Sequence, residues 1–272
     1  MTVSDAQARS NDDGTDQDDW DEHWDTFGEA AKGNPANDYR HRVVERLLGT
    51  LPADAVLLDI GCGQGQFALD YAERHPRVRV RGVEYSAEGV RRARESAQAR
   101  TLEATFEERD LLQPVTPPVD ADLATYAVCS EVLEHVADPA TLVANSRALL
   151  APGARVVVTV PGGPRSAFDR HIGHYRHFSR ADLHDALTRG GLEVEHLYRT
   201  GFPFFNLYKL AVILRGEGLV RDLQSRDVTA ATSLFERLVI AAFRVGFRVN
   251  VLDFPLGWQL AAVARNPEGA PC

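Results

Sequence analysis

From Ala55 onward the sequence predicts an α/β fold built on a mostly parallel sheet. Three observations predict it: short apolar runs alternate with longer helical patterns, one strand runs directly into a glycine-rich turn that opens a helix, and acids stand at the ends of successive strands. The apolar runs place strands near 55–60, 78–84, 104–109, 121–128, 154–160 and 192–198. Helical patterns fall between them, near 65–75, 86–99, 138–150 and 179–190. Leu149-Leu150-Ala151-Pro152-Gly153 reads as the stop of one helix, because Pro and Gly cannot continue it, with Arg155 to Val160 as the strand that follows.

The ends of the chain read differently. Residues 1–19 are rich in Asp, Ser, Asn and Gly and nearly free of apolar side chains, so they are expected to stay flexible. Trp20, Trp24 and Phe27 follow, then Asn34-Pro35 as a helix start and an amphipathic run to Leu48. The aromatic cluster reads first as packing for that helix; folding over a bound cation is the alternative. Beyond Gly201 two apolar helical segments, 204–214 and 234–249, flank a polar stretch from Arg221 to Asp227, and a last strand near 258–264 is expected to return to the sheet edge. The expected organisation is an acidic tail (1–19), an N-terminal helical segment (20–50), a sheet domain (51–200), a helical cap (201–252) and a last strand with C-terminal tail (253–272).

Composition narrows the function. The formal net charge is -9 over 272 residues, and nine acids among the first 25 residues, against Arg9 alone, account for nearly all of it. A near-neutral body with scattered arginines argues against a nucleic-acid partner, since phosphate binding needs clustered Lys and Arg. Cys62, Cys129 and Cys272 form no CxxC pair and no even disulfide framework, which points to a reducing, cytoplasmic setting. No apolar stretch approaches the ~18 residues of a membrane span, so no integral membrane contact is expected. The chain is expected to act as a monomer or homodimer.

The strongest chemical signal is Leu57-Leu58-Asp59-Ile60-Gly61-Cys62-Gly63-Gln64-Gly65-Gln66. Glycines let a ligand approach the backbone, and the helix that follows offers unpaired N–H groups. A dinucleotide fingerprint needs a small residue three places after its second glycine, where this chain has Gln66. The carboxylate of Asp59 suits a ligand carrying ammonium and sulfonium charge better than a pyrophosphate. Glu84 ends the next strand, a little over twenty residues on, where an acid can accept ribose hydroxyls; Asp110, past the third strand, is placed to accept from an adenine amine.

Asp59-x-Gly61-x-Gly63-x-Gly65, Glu84, Asp110, the run from Cys129 through Glu131-Val132-Leu133-Glu134-His135 to Pro139, and Leu150-Ala151-Pro152-Gly153 resemble, in order, the successive motifs of class I S-adenosylmethionine-dependent methyltransferases. The resemblance covers residues 55–160. It implies a Rossmann-like sheet of six parallel strands and one antiparallel strand, helices on both faces, and here a helical insertion before the last strand. S-adenosyl-L-methionine would lie across the carboxyl ends of the first strands. Position by position, the resemblance sets Asp59, Gly61, Cys62, Gly63 and Gly65 against the amino-acid half of the cofactor, Glu84 and Tyr85 at the ribose, and Asp110 and Leu111 at the adenine. Ser130 and Glu131 would border the reacting centre.

The acceptor side is expected from Asp169-Arg170-His171-Ile172-Gly173-His174-Tyr175-Arg176-His177, which follows the fifth strand. Flanking glycines and Pro164 argue against a helix here, and Asp169 is the one acid close in sequence, so metal binding ranks last and no metal is expected. His177 reads as a structural histidine, and His171 and His174 as substrate contacts or the general base. His135, Tyr175, Phe202, Phe205 and Tyr208 are expected to contact the acceptor, and the segment after Gly201 to serve as a pocket lid, a dimer surface or a membrane contact. The expected activity is methyl transfer to an oxygen or nitrogen of a small molecule. A quinone-type lipid acceptor at a membrane surface and a non-catalytic, regulatory binder of the cofactor are the alternatives.

Overall fold

A computed structural model describes residues 35–119, 122–225, 241–243 and 245–268. The acidic tail, Trp20, Trp24, Phe27 and much of the apolar segment expected at 234–249 lie outside the described residues. The first element, α1 (Pro35–Leu48), carries Pro at its first helical position, where the missing N–H breaks no intrahelical bond. Its buried face, Ala36, Tyr39, Val43, Val44, Leu47 and Leu48, follows helical spacing. The last turn is tied down by the Arg155 guanidinium, which donates to the Leu47 carbonyl at 3.1 Å.

Strand β1 (Val56–Ile60) leads to α2 (Gln66–Arg74), β2 (Arg79–Glu84) to α3 (Ala87–Ala99), and β3 (Thr105–Glu108) through a long connection to β4 (Ala124–Ser130). A 3-10 turn (Leu133–His135) and α4 (Pro139–Ser146) precede β5 (Leu150–Pro161), which is followed by α5 (Ala167–His171), α6 (Arg180–Arg189) and β6 (Glu193–Thr200). The long α7 (Phe204–Ser225), a 3-10 turn (Phe247–Val249) and β7 (Gln259–Arg265) complete the described chain. Helix starts are marked by side-chain caps: the Ser86 hydroxyl accepts from Gly89 N–H at 3.0 Å, and Ser166 with Asp169 and Ser179 with Asp182 form capping boxes.

The seven strands run in the order β3-β2-β1-β4-β5-β7-β6. Six are parallel, and β7 is antiparallel to both of its neighbours. Side chains alternate across the sheet into two cores: Leu58 and Ile60 of β1 face α4 and α6, whereas Leu57 and Asp59 share the parity that faces α1, α2 and α3. Strand order reverses between β1 and β4, so their carboxyl ends open a crevice, the place where open α/β sheets bind ligands.

Four expectations change. Strand β5 begins at Leu150, not near 154, because Pro152 and Gly153 form an irregularity within the strand and do not end a helix. Gly153, at φ 75°, donates to the Asn266 carbonyl at 2.8 Å and keeps the pairing in register beyond it. The polar stretch after 220 continues α7 as far as Ser225, since Arg, Asp and Gln are all tolerated within a helix. Strand β7 enters between β5 and β6 rather than at the edge; Leu260-Ala261-Ala262-Val263-Ala264 is apolar on both faces, the pattern of an interior strand. Residues 167–171 form a short helix where the glycines argued for a loop, because the Ser166–Asp169 capping box closes its first turn before Gly173 is reached.

The buried Tyr39 hydroxyl hydrogen-bonds the Thr200 hydroxyl and so joins α1 to the end of β6. Burial lifts the phenol to a pKa of about 12, so the hydroxyl stays protonated across the physiological range. Tyr39→Phe removes this bond without changing the packing and should cost about 1 kcal/mol. Calorimetric unfolding should then show a midpoint about 2–4 °C lower, and an unchanged midpoint would mean the bond contributes nothing to docking α1.

Candidate active site

The turn after β1 is shaped by glycines in the left-handed region. Gly61, Gly63 and Gly65 have φ of 68°, 54° and 77°. A Cβ at Gly61 would meet Val132 Cγ2 at 2.5 Å, and one at Gly65 would meet the Phe106 ring at 2.9 Å. The Gly61 and Cys62 N–H groups donate to the Val83 carbonyl at 2.8 and 3.1 Å, which folds the turn over the end of β2. There Glu84 accepts from Gly63 N–H at 2.7 Å through one oxygen and from Ser86 N–H at 3.0 Å through the other. The acid expected at the ribose thus also fixes the glycine turn to its neighbouring strand.

Asp59 is 4% exposed. Burial, then the nearby charge of Glu84, lifts its pKa to about 8. The same causes, with Asp59 itself, push the Cys62 thiol well above its ordinary value, so it stays un-ionised and inert. Tyr85 is exposed just beyond Glu84. After β3, Asp110 accepts from Leu112 N–H at 2.8 Å and shapes its own turn, while Asn145 donates to the Leu111 carbonyl at 2.9 Å. The structure therefore gathers Asp59, the glycines, Glu84, Tyr85, Asp110 and Leu111 along the carboxyl ends of β1, β2 and β3.

Strand β4 ends at Ser130, whose hydroxyl pairs with that of Thr159 at 2.8 Å. Glu131, next in the chain, has φ 57°, a left-handed conformation that costs a residue with a Cβ of order 1–3 kcal/mol. Three partners hold it there: Arg40 of α1 at 2.9 Å, the Gln259 amide of β7 at 2.6 Å and the Thr159 hydroxyl at 3.1 Å. Sequence reading singled out Glu131 but missed Arg40, Thr159 and Gln259. A single polar residue at the mouth of an apolar strand was the available signal for Gln259.

Where the acceptor is expected, the segment after β5 folds back over the 3-10 turn at Leu133–His135. Tyr175 N–H donates to the Glu134 carbonyl at 2.8 Å, His174 N–H to the Asp169 carbonyl at 3.0 Å, and the Arg176 guanidinium to the Ala137 carbonyl at 2.6 Å. This brings the His135 and His174 rings edge-on at 4.6 Å. His171 is exposed at the end of α5, apart in burial from His174 and His177, whose side chains are enclosed. Burial, aided by the charge of His135, lowers His174 to a pKa of about 2, and burial also lowers His177, so both rings are neutral near pH 7. Asp169 reaches Lys209 of α7 at 2.7 Å. Its burial favours the neutral acid, but the ammonium and the Ser166 hydrogen bonds outweigh that and hold it at about 2. Lys209, one of two lysines in the chain, was also missed; a lysine inside an apolar helix was its signal.

The aromatic residues expected at the acceptor divide. Phe205 is 1% exposed and packs against Tyr39 at 5.1 Å and Phe247 at 6.0 Å, with the Arg40 guanidinium over its ring at 5.8 Å. It is a packing residue between α1 and α7. Tyr208 meets Phe243 and Phe247 edge-on, and Phe202 stacks on Phe254 at 4.5 Å, both half-buried. His135 and Tyr175 lie with His174.

Residues 33–197 match a family model described as a methyltransferase domain. A ubiquinone biosynthesis O-methyltransferase of Alkalilimnicola ehrlichii is 32% identical over 147 residues, 53% of this chain and 56% of that protein. The chain thus spans about half the length of the curated relatives it matches. Among solved structures, a geranyl diphosphate C-methyltransferase from Streptomyces coelicolor, in complex with Mg2+, geranyl diphosphate and S-adenosyl-L-homocysteine, superposes with TM-score 0.54 at 17% identity, covering 85% of this chain and 79% of that one. A phosphoethanolamine N-methyltransferase from Haemonchus contortus, in complex with S-adenosyl-L-methionine, gives TM-score 0.55 at 17% identity over 84% of this chain and 52% of that one.

The raised pKa of Asp59 makes a stability prediction. The folded protein keeps the proton up to about pH 8, whereas the unfolded chain releases it near the ordinary value of about 3.9. Folding therefore binds a proton in between, and stability falls as pH rises through that window. Asp59→Asn carries no such charge, so its unfolding midpoint without ligand should match the wild type near pH 4, at the foot of that window where both states of the wild type still bind the proton, and exceed it by several degrees at pH 8. A midpoint difference that does not grow with pH would contradict a buried, unneutralised Asp59.

Proposed function

The chain belongs to the methyltransferase-domain family of class I, S-adenosylmethionine-dependent enzymes, and on that premise we propose that it moves a methyl group to an oxygen or nitrogen of a small-molecule acceptor. The pair of buried acids, Asp59 and Glu84, beside the left-handed glycine turn carries the proposal. Asp59 is costly to ionise in the ligand-free site. A ligand that brings ammonium and sulfonium charge next to a carboxylate removes that cost, which a pyrophosphate would increase. When bound, S-adenosylmethionine supplies a methyl carbon already activated by positive sulfur.

The chain's residues then have three tasks. Asp59, Gly61, Cys62, Gly63 and Gly65 hold the amino-acid half of the cofactor, Glu84 and Tyr85 the ribose, and Asp110 and Leu111 the adenine. Glu84 already accepts two backbone N–H groups, so its oxygens are oriented before ligand arrives and retain lone pairs for the ribose hydroxyls. Ser130 and Glu131 stand beside the reacting centre, and the brace from Glu131 to Arg40, Thr159 and Gln259 fixes the wall against which the acceptor is aligned. The segment carrying His171 and His174 works on the acceptor: exposed His171 removes its proton where the nucleophile needs it, and His174, whose buried ring is too weakly basic for that, contacts the acceptor and excludes water together with His135 and Tyr175.

A lipid-borne acceptor is the second reading. No helix among the described residues is long and apolar enough to cross a membrane. Leu207, Leu210 and Leu214 nevertheless form an exposed stripe along α7 at 51%, 40% and 77% exposure, and the ubiquinone biosynthesis relative favours a biosynthetic acceptor of this kind. Co-sedimentation with anionic liposomes, lost in a Leu210→Glu/Leu214→Glu double variant, would select this reading; wild-type protein left in the supernatant would reject it.

Thermal unfolding with S-adenosylhomocysteine tests the cofactor site directly. At a hundredfold excess over its dissociation constant the ligand should add about 2.7 kcal/mol, a rise of about 5–10 °C for a chain of this size. Glu84→Ala should abolish the rise. Labelled S-adenosylmethionine offered with hydroxyl and amine acceptors should yield labelled product, and His171→Ala or His174→Ala should lower turnover while leaving the cofactor-induced rise intact. Folded protein that shows no rise at all would remove the assignment.

A further inference from the structure

Beneath the segment that follows β5 lies a buried acid to which methyl transfer assigns no task, Glu134, set against His135 and His174, with His177, Asp169 and Lys209 behind them. Glu134 is 0% exposed, and among the described residues no other residue hydrogen-bonds either of its carboxylate oxygens. Buried acids in native structures are almost always paired, and one that is not calls for an explanation such as a bound ion.

Charge accounting isolates this acid. Four other charged groups face the cluster, and they neutralise one another in pairs: Arg40 with Glu131 at 2.9 Å, and Lys209 with Asp169 at 2.7 Å. Among the described residues Glu134 alone has no counter-charge within contact. One carboxylate oxygen of Glu134 and a ring nitrogen each of His135 and His174 lie within 4.8 Å of one another. Around a zinc-sized ion with bonds of about 2.1 Å, tetrahedral ligand atoms stand about 3.4 Å apart, a gap that small side-chain rotations close.

The histidines behind the cluster set the tautomer. The Gly163 carbonyl can only accept, so His177 Nδ1, 3.1 Å away, carries a proton and donates it. In the neutral ring His177 Nε2 is then bare and accepts from His174 Nδ1 at 3.3 Å. His174 is left with its lone pair on Nε2. This is the form a metal ligand needs, with the other ring nitrogen anchored by a hydrogen bond, as ligating histidines almost always are.

We propose that Glu134, His135 and His174 bind a zinc-class divalent cation, with three protein ligands and one coordination position open to an oxygen donor. Two imidazoles and a single carboxylate select a borderline ion such as Zn2+ over Mg2+, which prefers an all-oxygen shell. The neighbouring group, Asp169 with His174 and His177, is the weaker candidate, because its carboxylate already holds Lys209 and a cation there would face the ammonium.

The test uses full-length, tag-free protein and needs no methyl transfer, so its outcome is independent of the acceptor reading. Chelator-treated protein is dialysed against equimolar Zn2+ and its metal content measured, then titrated with Co2+ and followed by visible absorption. The wild type should hold about one ion per chain, and its Co2+ form should show the intense visible bands of a low-coordinate site. Glu134→Gln and His174→Ala should lose both signals while keeping the S-adenosylhomocysteine-induced rise in unfolding temperature. His177→Ala should retain the site with affinity weakened about 10–100-fold. Wild-type protein that stays metal-free and shows no Co2+ band overturns the proposal, and would mean that Glu134 is held as a neutral acid. Full metal content in folded Glu134→Gln overturns it as well. If Glu134→Gln does not fold, the Co2+ spectrum of the wild type decides alone.

Discussion

Like charges at the ends of β1 and β2 govern this molecule. Asp59 is buried, and Glu84 acts on it from the neighbouring strand, so the ligand-free site holds a proton that a solvated carboxylate would have released. Burial of two acids side by side is tolerable because backbone N–H groups solvate one of them: the glycine turn and the start of α3 both donate to Glu84. The first of those donors, Gly63 N–H, reaches Glu84 only if the chain turns back sharply after Ile60. The turn in turn needs residues without a Cβ, since a side chain at Gly61 or Gly65 would strike Val132 or Phe106. The glycines, the two acids and the order of the strands are therefore one constraint seen at three scales.

A second convergence lies across the crevice. Glu131 adopts a backbone conformation that a residue with a Cβ seldom takes, and the structure holds it by contacts from α1, β5 and β7. These elements are far apart in sequence, and Glu131 is a point on which polar side chains from all three converge. The brace also explains why Arg40 can be largely enclosed: its charge is balanced by Glu131 and its plane lies over Phe205. Displacement of α1 would at once unpair Arg40 and release Glu131, so the N-terminal helix is coupled to the wall of the site as well as to the core.

How much of this the sequence discloses follows from the range of the interactions. Strands and helices from 55 to 109 are legible almost to the residue, because each is set by local apolar periodicity and by caps such as Ser86. The acids at strand tips are legible for the same reason. Legibility fails where a distant partner decides. Pro152 and Gly153 look like a helix stop until Asn266 pairs across them. Strand β7 looks like an edge strand until β6 is seen beyond it. The histidine segment offers one nearby acid in sequence, whereas Glu134, some forty residues earlier, arrives beside His174 only through the fold-back over the 3-10 turn.

The buried acids sort themselves by what neutralises them, and that sorting separates scaffold from site. Glu131 and Asp169 find basic partners within the chain, Arg40 and Lys209: the first ion pair ties α1 to the end of β4, and the second ties α7 to α5. Their charges are spent on architecture. Among the described residues Asp59 and Glu134 receive no such partner, although each is at least nine-tenths buried. Evicting a carboxylate from water without supplying a counter-charge is unfavourable by several kcal/mol, and an apolar side chain would fill either position at less cost. Stability therefore cannot account for either residue. A positive species from outside the chain can: the sulfonium and ammonium of the cofactor, proposed at Asp59, and a divalent cation, proposed at Glu134.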